Sequence, residues 1–260
     1  MNTYDNLIKF SHELADIAKI EIKKQFRKNN SWDIKPTKNN NRPQIVTKAD
    51  IECEKTIRKL INKKYPSHGI IGEELGDENT DSEFIWVIDP IDGTKAFVAG
   101  LPVFGCMIGL LKEQKPYIGL IDQPITGERI WGGKKGSFLN NKAIKTKKFK
   151  SIETTICATT DPAMFIEKDE IIYKRINENV LYIRHGTDCW GYAMCAAGTL
   201  DLVIEKDIEL WDIVAAVAII EGADGIISSW DKGLPASDRS VIAAANIETY
   251  NYFIDLINNI

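Results

Sequence analysis

The run Trp86-Val87-Ile88-Asp89-Pro90-Ile91-Asp92-Gly93-Thr94 decides how this chain is read. Phe84 to Ile88 is a continuous apolar stretch, the pattern of a strand buried on both faces. It runs straight into two aspartates separated by Pro-Ile, and then into Gly-Thr. Pro90 fixes its own φ and restrains Asp89, so the backbone leaves the strand on a defined path. Asp89 and Asp92 can then face one centre, where Mg²⁺ takes hard oxygen ligands. Gly93 permits a tight turn, and Thr94 can open a helix whose free N–H groups suit a phosphate. The same residues also read as turn formers, with Thr94 only a cap.

Three further acidic features lie outward from this run. Glu73 and Glu74 follow the apolar pair Ile70-Ile71, so a second strand end delivers carboxylates, although a solvated turn has the same sequence. Asp212 precedes the apolar helix Ile213 to Ile220, where it is either a ligand or that helix's N-cap. Asp50 lies near the start of another helix, where a negative charge is favourable in its own right.

Around these features the periodicity is mixed. Leu7, Phe10, Leu14, Ile17, Ile22 and Phe26 fall at helical spacing. A polar segment follows through Pro43 and reads as a mobile loop. A second helix begins after Thr47, with Ile51, Ile57, Leu60 and Ile61 as its expected buried face, and stops near Tyr65-Pro66. Strands are expected over 84–88, 103–111, 117–121 and 129–131, and again over 155–158, 181–183, 202–204, 226–228 and 241–244. Helices are expected over 189–197, 213–221 and 248–257. The chain divides into halves at 1–147 and 148–260, each with layered α and β elements.

Bulk properties narrow the function. The net charge of −4 in 260 residues gives no basic surplus for nucleic acid. The one basic run, Lys142 to Lys150, reads as a solvated connector. No apolar stretch reaches the roughly 20 residues of a membrane span, and the first residues lack a signal-peptide pattern. Five cysteines without CxxC spacing argue against a disulfide framework or a zinc site and fit a reducing cytoplasm. With three dispersed histidines, any metal chemistry must rest on oxygen ligands.

Gly72-Glu73-Glu74, Asp89-Pro90-Ile91-Asp92-Gly93-Thr94 and Trp211-Asp212 resemble the three signatures of the inositol monophosphatase family, in order, within a match over residues 44–245. Within that family the chain is most similar to the bacterial histidinol-phosphate phosphatase branch. The likeness rests on 92–97 with 100–105, on 121–129, and on Gly186-Thr187-Asp188-Cys189. The resemblance implies an α+β fold, a layered α-β-α-β-α sandwich. It also implies a homodimer and two or three Mg²⁺ ions held by Glu73, Asp89, Asp92, Asp212 and the carbonyl of Ile91. Thr94, hydrogen-bonded to Asp50, would act with Glu73 on the attacking water, and the N–H groups of Gly93 and Thr94 would hold the phosphate.

Substrate choice would rest on Glu205, seven residues before Asp212, and on Asp188. Two carboxylates suit an alcohol bearing a cation, as in L-histidinol phosphate of histidine biosynthesis. Otherwise Asp188 caps the helix at Cys189 and Glu205 lies on the surface. The alternatives are inositol monophosphates, 3′-phosphoadenosine 5′-phosphate or sugar phosphates as substrates, and a non-catalytic metal or phosphate-ligand binding protein. The 28–43 segment is a candidate cover for the site.

Overall fold

Leu7, Phe10, Leu14, Ala18 and Ile22 form the buried face of α1 (Thr3–Gln25) in the computed structural model. The structure describes residues 3–28, 32–35 and 44–259. Where a loop was expected, β1 (Trp32–Lys35) pairs antiparallel with β2 (Gln44–Thr47). The mobility expected of 29–31 and 36–43 lies outside the described residues.

Thr47 caps α2 (Lys48–Lys64): its hydroxyl accepts from the Ala49 N–H, while Asp50 accepts from the Thr47 N–H. The buried face of α2 differs from the expected one. Ile57 and Ile61 are buried, but Ile51 and Leu60 are half-buried, and Glu54 and Arg58 turn inward. Glu54 accepts from Arg58 at 2.7 Å and from the N–H groups of Glu74 and Leu75 at 2.8 and 3.2 Å. A buried carboxylate is tolerated when it is paired and hydrogen-bonded in this way. Hydrophobic periodicity could not show it.

The chain continues through β3 (Gly69–Gly72), β4 (Gly76–Glu78), β5 (Phe84–Asp92), α3 (Thr94–Ala99), β6 (Gly105–Lys112), β7 (Lys115–Gln123), β8 (Glu128–Gly133), β9 (Gly136–Leu139) and β10 (Lys142–Ile144). These strands form one sheet in the order β10-β9-β8-β7-β6-β5-β3-β4, with β3 and β5 parallel and the other neighbours antiparallel. β5 extends past the apolar run to Asp92, and its register against β6 shifts between Asp89 and Asp92. Such a bulge accommodates Pro90, which has no N–H for the ladder. The start of the basic run is strand β10. Farther along, Lys145 pairs with Asp224 and Lys147 with Asp201.

Then come β11 (Ile156–Thr159), α4 (Lys168–Asn179), β12 (Tyr182–His185), α5 (Cys189–Ala196), β13 (Leu202–Lys206), α6 (Val214–Gly222), β14 (Ile226–Ser228), β15 (Ser240–Ala244) and α7 (Ile247–Asn258). The second sheet runs β12-β11-β13-β15-β14. Its β11 is parallel to both β12 and β13, and its other pairs are antiparallel.

Three buried clusters define the layers. One joins α1 and α2 to the first sheet through Phe10, Leu14, Ile57, Trp86, Ile108 and Leu120. A middle cluster unites Met107 and Ile121 of that sheet with α5, α6 and Val203 and Ala243 of the second. The third sets α4 and α7 on the second sheet's outer face through Ile172, Ile176, Phe253 and Ile254. The result is the expected α-β-α-β-α sandwich. No helix among the described residues is long and apolar enough to cross a membrane.

The middle layer is tight because α6 lies almost on the backbone of β7. A Cβ placed on Gly119 would stand 2.0 Å from the Ala215 carbonyl oxygen and 2.7 Å from its carbon. Gly119→Ala is expected to lower stability by about 1–3 kcal/mol through overpacking, read as a reduced urea midpoint. An unchanged midpoint would show that α6 can retreat freely.

Candidate active site

The bulge in β5 carries Asp89 and Asp92 to the end of the first sheet, and Asp212 arrives from the segment before α6. One carboxylate oxygen from each lies within 4.8 Å of the others. Backbone N–H groups orient all three. Asp89 Oδ1 accepts from Ile91 at 3.0 Å, Asp212 Oδ2 from Glu209 at 2.7 Å, and Asp92 Oδ2 from Cys189 at the start of α5. Asp212 is not the cap of α6, because Ile213 occupies that position and makes no side-chain cap bond.

The electrostatics of this cluster point to a cation. Burial raises the pKa of Asp89 well above the usual carboxylate range, with Glu73, Asp92, Asp212 and Asp50 adding to it. Burial, and then Asp188, push Asp92 up to about 8 against the opposing Cys189 N–H bond. Asp212 is raised by burial, then by Asp92 and Glu73. A cation among them removes the repulsion. The donors in the cluster are all carboxylate oxygens, without imidazole or thiolate, so they fit a hard divalent ion.

Glu73 stands beside this group, close enough to raise Asp89 and Asp212, and is held by Lys35. Its Oε1 pairs with Lys35 at 2.8 Å, and the same ammonium holds Glu74 at 2.7 Å. Glu74 rises to about 7, chiefly through burial and then through Glu73, against the opposing pull of Lys35. The Gly72-Glu73-Glu74 segment is therefore a partly buried turn, fixed by Glu54 from behind and Lys35 in front. Composition could not single out Lys35, since its role depends on where the β1–β2 pair lands.

Thr94 begins α3, and its hydroxyl lies 3.3 Å from Asp50 Oδ1 and 3.1 Å from the Ile91 carbonyl. Asp50 is fully buried and accepts from both the N–H and the hydroxyl of Thr47, at 2.8 and 2.5 Å. Burial nevertheless lifts it to about 6. Gly93 has φ +85°, and a Cβ there would come 2.9 Å from Asp188 Cγ. Both facts require glycine at this position.

Asp188 occupies the position before α5 without making a side-chain cap bond. It lines a cleft of about 210 Å³ with Glu73, Gly93, Thr94, Lys95 and Thr160. Burial raises it to about 6, against the pull of Lys95. Glu205 is not a surface residue: it is 2% exposed, and its Oε1 accepts from the N–H and hydroxyl of Thr160 at 2.8 and 2.9 Å. Burial lifts it to about 8. Thr160 gave no signal in the sequence; its place follows from the end of β11.

A model of the inositol monophosphatase family matches residues 3–260. The chain is 41% identical over 230 residues to the Arabidopsis thaliana protein named Bifunctional phosphatase IMPL2, chloroplastic. That alignment spans 87% of this chain and 65% of the plant protein, just under two thirds of its length. Identity to the histidinol-phosphatase of Chlorobaculum parvum is 30% over 223 residues, 82% of this chain and 83% of that one. An inositol monophosphatase from Zymomonas mobilis superposes with a TM-score of 0.88 at 32% identity, covering 99% of this chain and 100% of that one. That family's phosphatases are metal-dependent, in keeping with a cluster of three partly buried carboxylates whose repulsion a cation relieves. On its full-length match, its fold and its relatives, the chain belongs to the inositol monophosphatase family.

Proposed function

We propose that the chain is a Mg²⁺-dependent phosphomonoester hydrolase whose preferred substrate is L-histidinol phosphate, cleaved to L-histidinol and phosphate by direct attack of water. The observation that carries this is the division of the site. Beside the metal-suited carboxylate cluster, half-buried Asp188 lines the cleft, and buried Glu205 holds Thr160 of the same cleft wall.

In this reading Asp89, Asp92, Asp212 and the Ile91 carbonyl hold the metal, joined by Glu73 once it parts from Lys35. When bound, the ion acidifies a water and offsets charge on the reacting phosphate. The N–H groups of Gly93 and Thr94 receive the phosphate oxygens at the start of α3. The Thr94 hydroxyl can donate to Asp50 while its lone pairs accept from the attacking water, so Thr94 orients the water with Asp50 and Glu73 as carboxylate support. A covalent route has little support: burial pushes the nearby Cys189 thiol far above the reactive range. Asp188 and Glu205 read the ammonium or imidazole of the alcohol. By family resemblance the enzyme works as a homodimer with two or three Mg²⁺ ions, and its unpaired cysteines suit a cytoplasmic setting.

A second reading, inositol monophosphatase, is favoured by the 32% identity to the Zymomonas mobilis enzyme across nearly the whole chain. Initial rates with Mg²⁺ on L-histidinol phosphate and inositol 1-phosphate separate the two. Histidinol phosphate is expected to be preferred, and Asp188→Ala to erode that preference at least about ten-fold by removing a charged hydrogen-bond partner. A preference for inositol 1-phosphate, or one indifferent to Asp188→Ala, overturns the substrate assignment.

The metal assignment has its own check. Asp89→Asn keeps an oxygen for the Ile91 N–H but removes a charge, so activity should fall by at least about 100-fold. In EDTA the variant should unfold no earlier than the wild type, because a repelling buried charge is gone. Retained activity would exclude Asp89 as a ligand.

A further inference from the structure

Tyr192 carries a hydroxyl that the fold does not use. The residue is 3% exposed, and its Oη is buried without a hydrogen-bond partner among the described residues. Buried phenols normally find partners, because an unpaired one loses its hydration without replacement. The ring belongs to the middle-layer cluster with Val203, Ile213 and Ala215, which a phenylalanine would serve equally well. The oxygen therefore weakens the free protein.

Its position suggests where the partner lies. Tyr192 packs with Val203 in one cluster, and Glu205 lies two residues beyond Val203 on β13, so it faces the same layer. Helical side chains lean towards the N-terminus of their helix. The phenol thus leans towards the end of α5 where the Cys189 N–H holds Asp92 and Asp188 enters the cleft. The charges around it agree: after burial itself, Glu205, Asp212 and Asp92 are the leading groups that raise the phenol's pKa. Asp92 and Asp212 belong to the acidic cluster. Glu205 has an under-used oxygen: Oε1 takes two bonds from Thr160, whereas Oε2 meets the Thr159 hydroxyl at 3.4 Å.

We propose that Tyr192 is a positioning residue for substrate selection, its hydroxyl donating to Glu205 Oε2 when the alcohol part of the phosphoester enters beside Asp188. This rests on reading Asp188 and Glu205 as the wall that meets the alcohol. The bond fixes the carboxylate towards N–H or O–H groups of the substrate, which a carboxylate can only accept from. A hydrogen bond missing in the free protein and formed in the complex adds its whole gain to binding. That accounts for an oxygen the resting fold would be more stable without.

Tyr192→Phe removes this oxygen and keeps the ring. The thermal midpoint should be unchanged or higher, since an unpartnered buried hydroxyl is lost. The KM for the preferred ester should rise about 5- to 50-fold with kcat held within about two-fold, the loss expected of one hydrogen bond to a charged group. Methyl phosphate, whose alcohol has nothing to present to Glu205, should be turned over by variant and wild type alike, with the same Mg²⁺ dependence. An unchanged KM, a lowered midpoint or an equal loss on methyl phosphate overturns the proposal. The preferred ester is found first on the wild type, between L-histidinol phosphate and inositol 1-phosphate. A wild type that prefers inositol 1-phosphate sinks the substrate assignment alone, and the Tyr192→Phe comparison is then made on that ester. A wild type that turns over neither sinks both.

Discussion

Asp89, Asp92 and Asp212 repel one another in a partly buried setting, and much of the surrounding structure holds them there. Three carboxylates taken out of water would separate or take up protons if nothing restrained them. Each is tied instead by a backbone N–H, from Ile91, Cys189 or Glu209. Those three donors come from a strand bulge, a helix start and a loop, so the cluster joins distant parts of the chain. An arrangement of this kind suits a hard cation, as the proposed function has it.

The packing of the middle layer makes this meeting possible. α6 lies against β7 at a separation that only glycine at 119 permits, and α6 follows Asp212 directly. α5 occupies the same layer, which brings its first N–H to Asp92 and Asp188 up to Gly93. A looser layer would leave Asp212 and Asp92 on separate walls. The close helix-to-sheet contact is therefore part of the site, although none of its glycines touches the chemistry.

Much of this is legible in the residue pattern alone. The helical spacing of Leu7, Phe10 and Leu14, the apolar run at Phe84–Ile88 and the apolar helix after Asp212 all stand where periodicity put them, because each buries a continuous hydrophobic face. β4, β9, β10 and α4 did not show, being short or largely polar. The inward turn of Glu54 and Arg58 was hidden for a different reason: a charged pair is buried only when its partners converge, and those partners sit in a loop 20 residues away. Lys35 was invisible on the same ground. Its charge matters only because the β1–β2 pair lies against Glu73 and Glu74.

The sequence by itself determined the class of chemistry. Carboxylates placed at strand and helix ends, with no matching histidines or cysteines, leave hard-cation chemistry as the natural use, and their order along the chain carries the family. Tertiary structure decided which of those carboxylates meet, and in what state. Asp212 serves the cluster instead of capping α6, Glu205 is buried against Thr160 instead of lying on the surface, and Tyr192 carries a hydroxyl without a partner. The physical reason is that residue type and local spacing fix what a side chain can bond. Burial and the groups brought in from elsewhere in the chain fix what it does bond, and those are set only when the layers close.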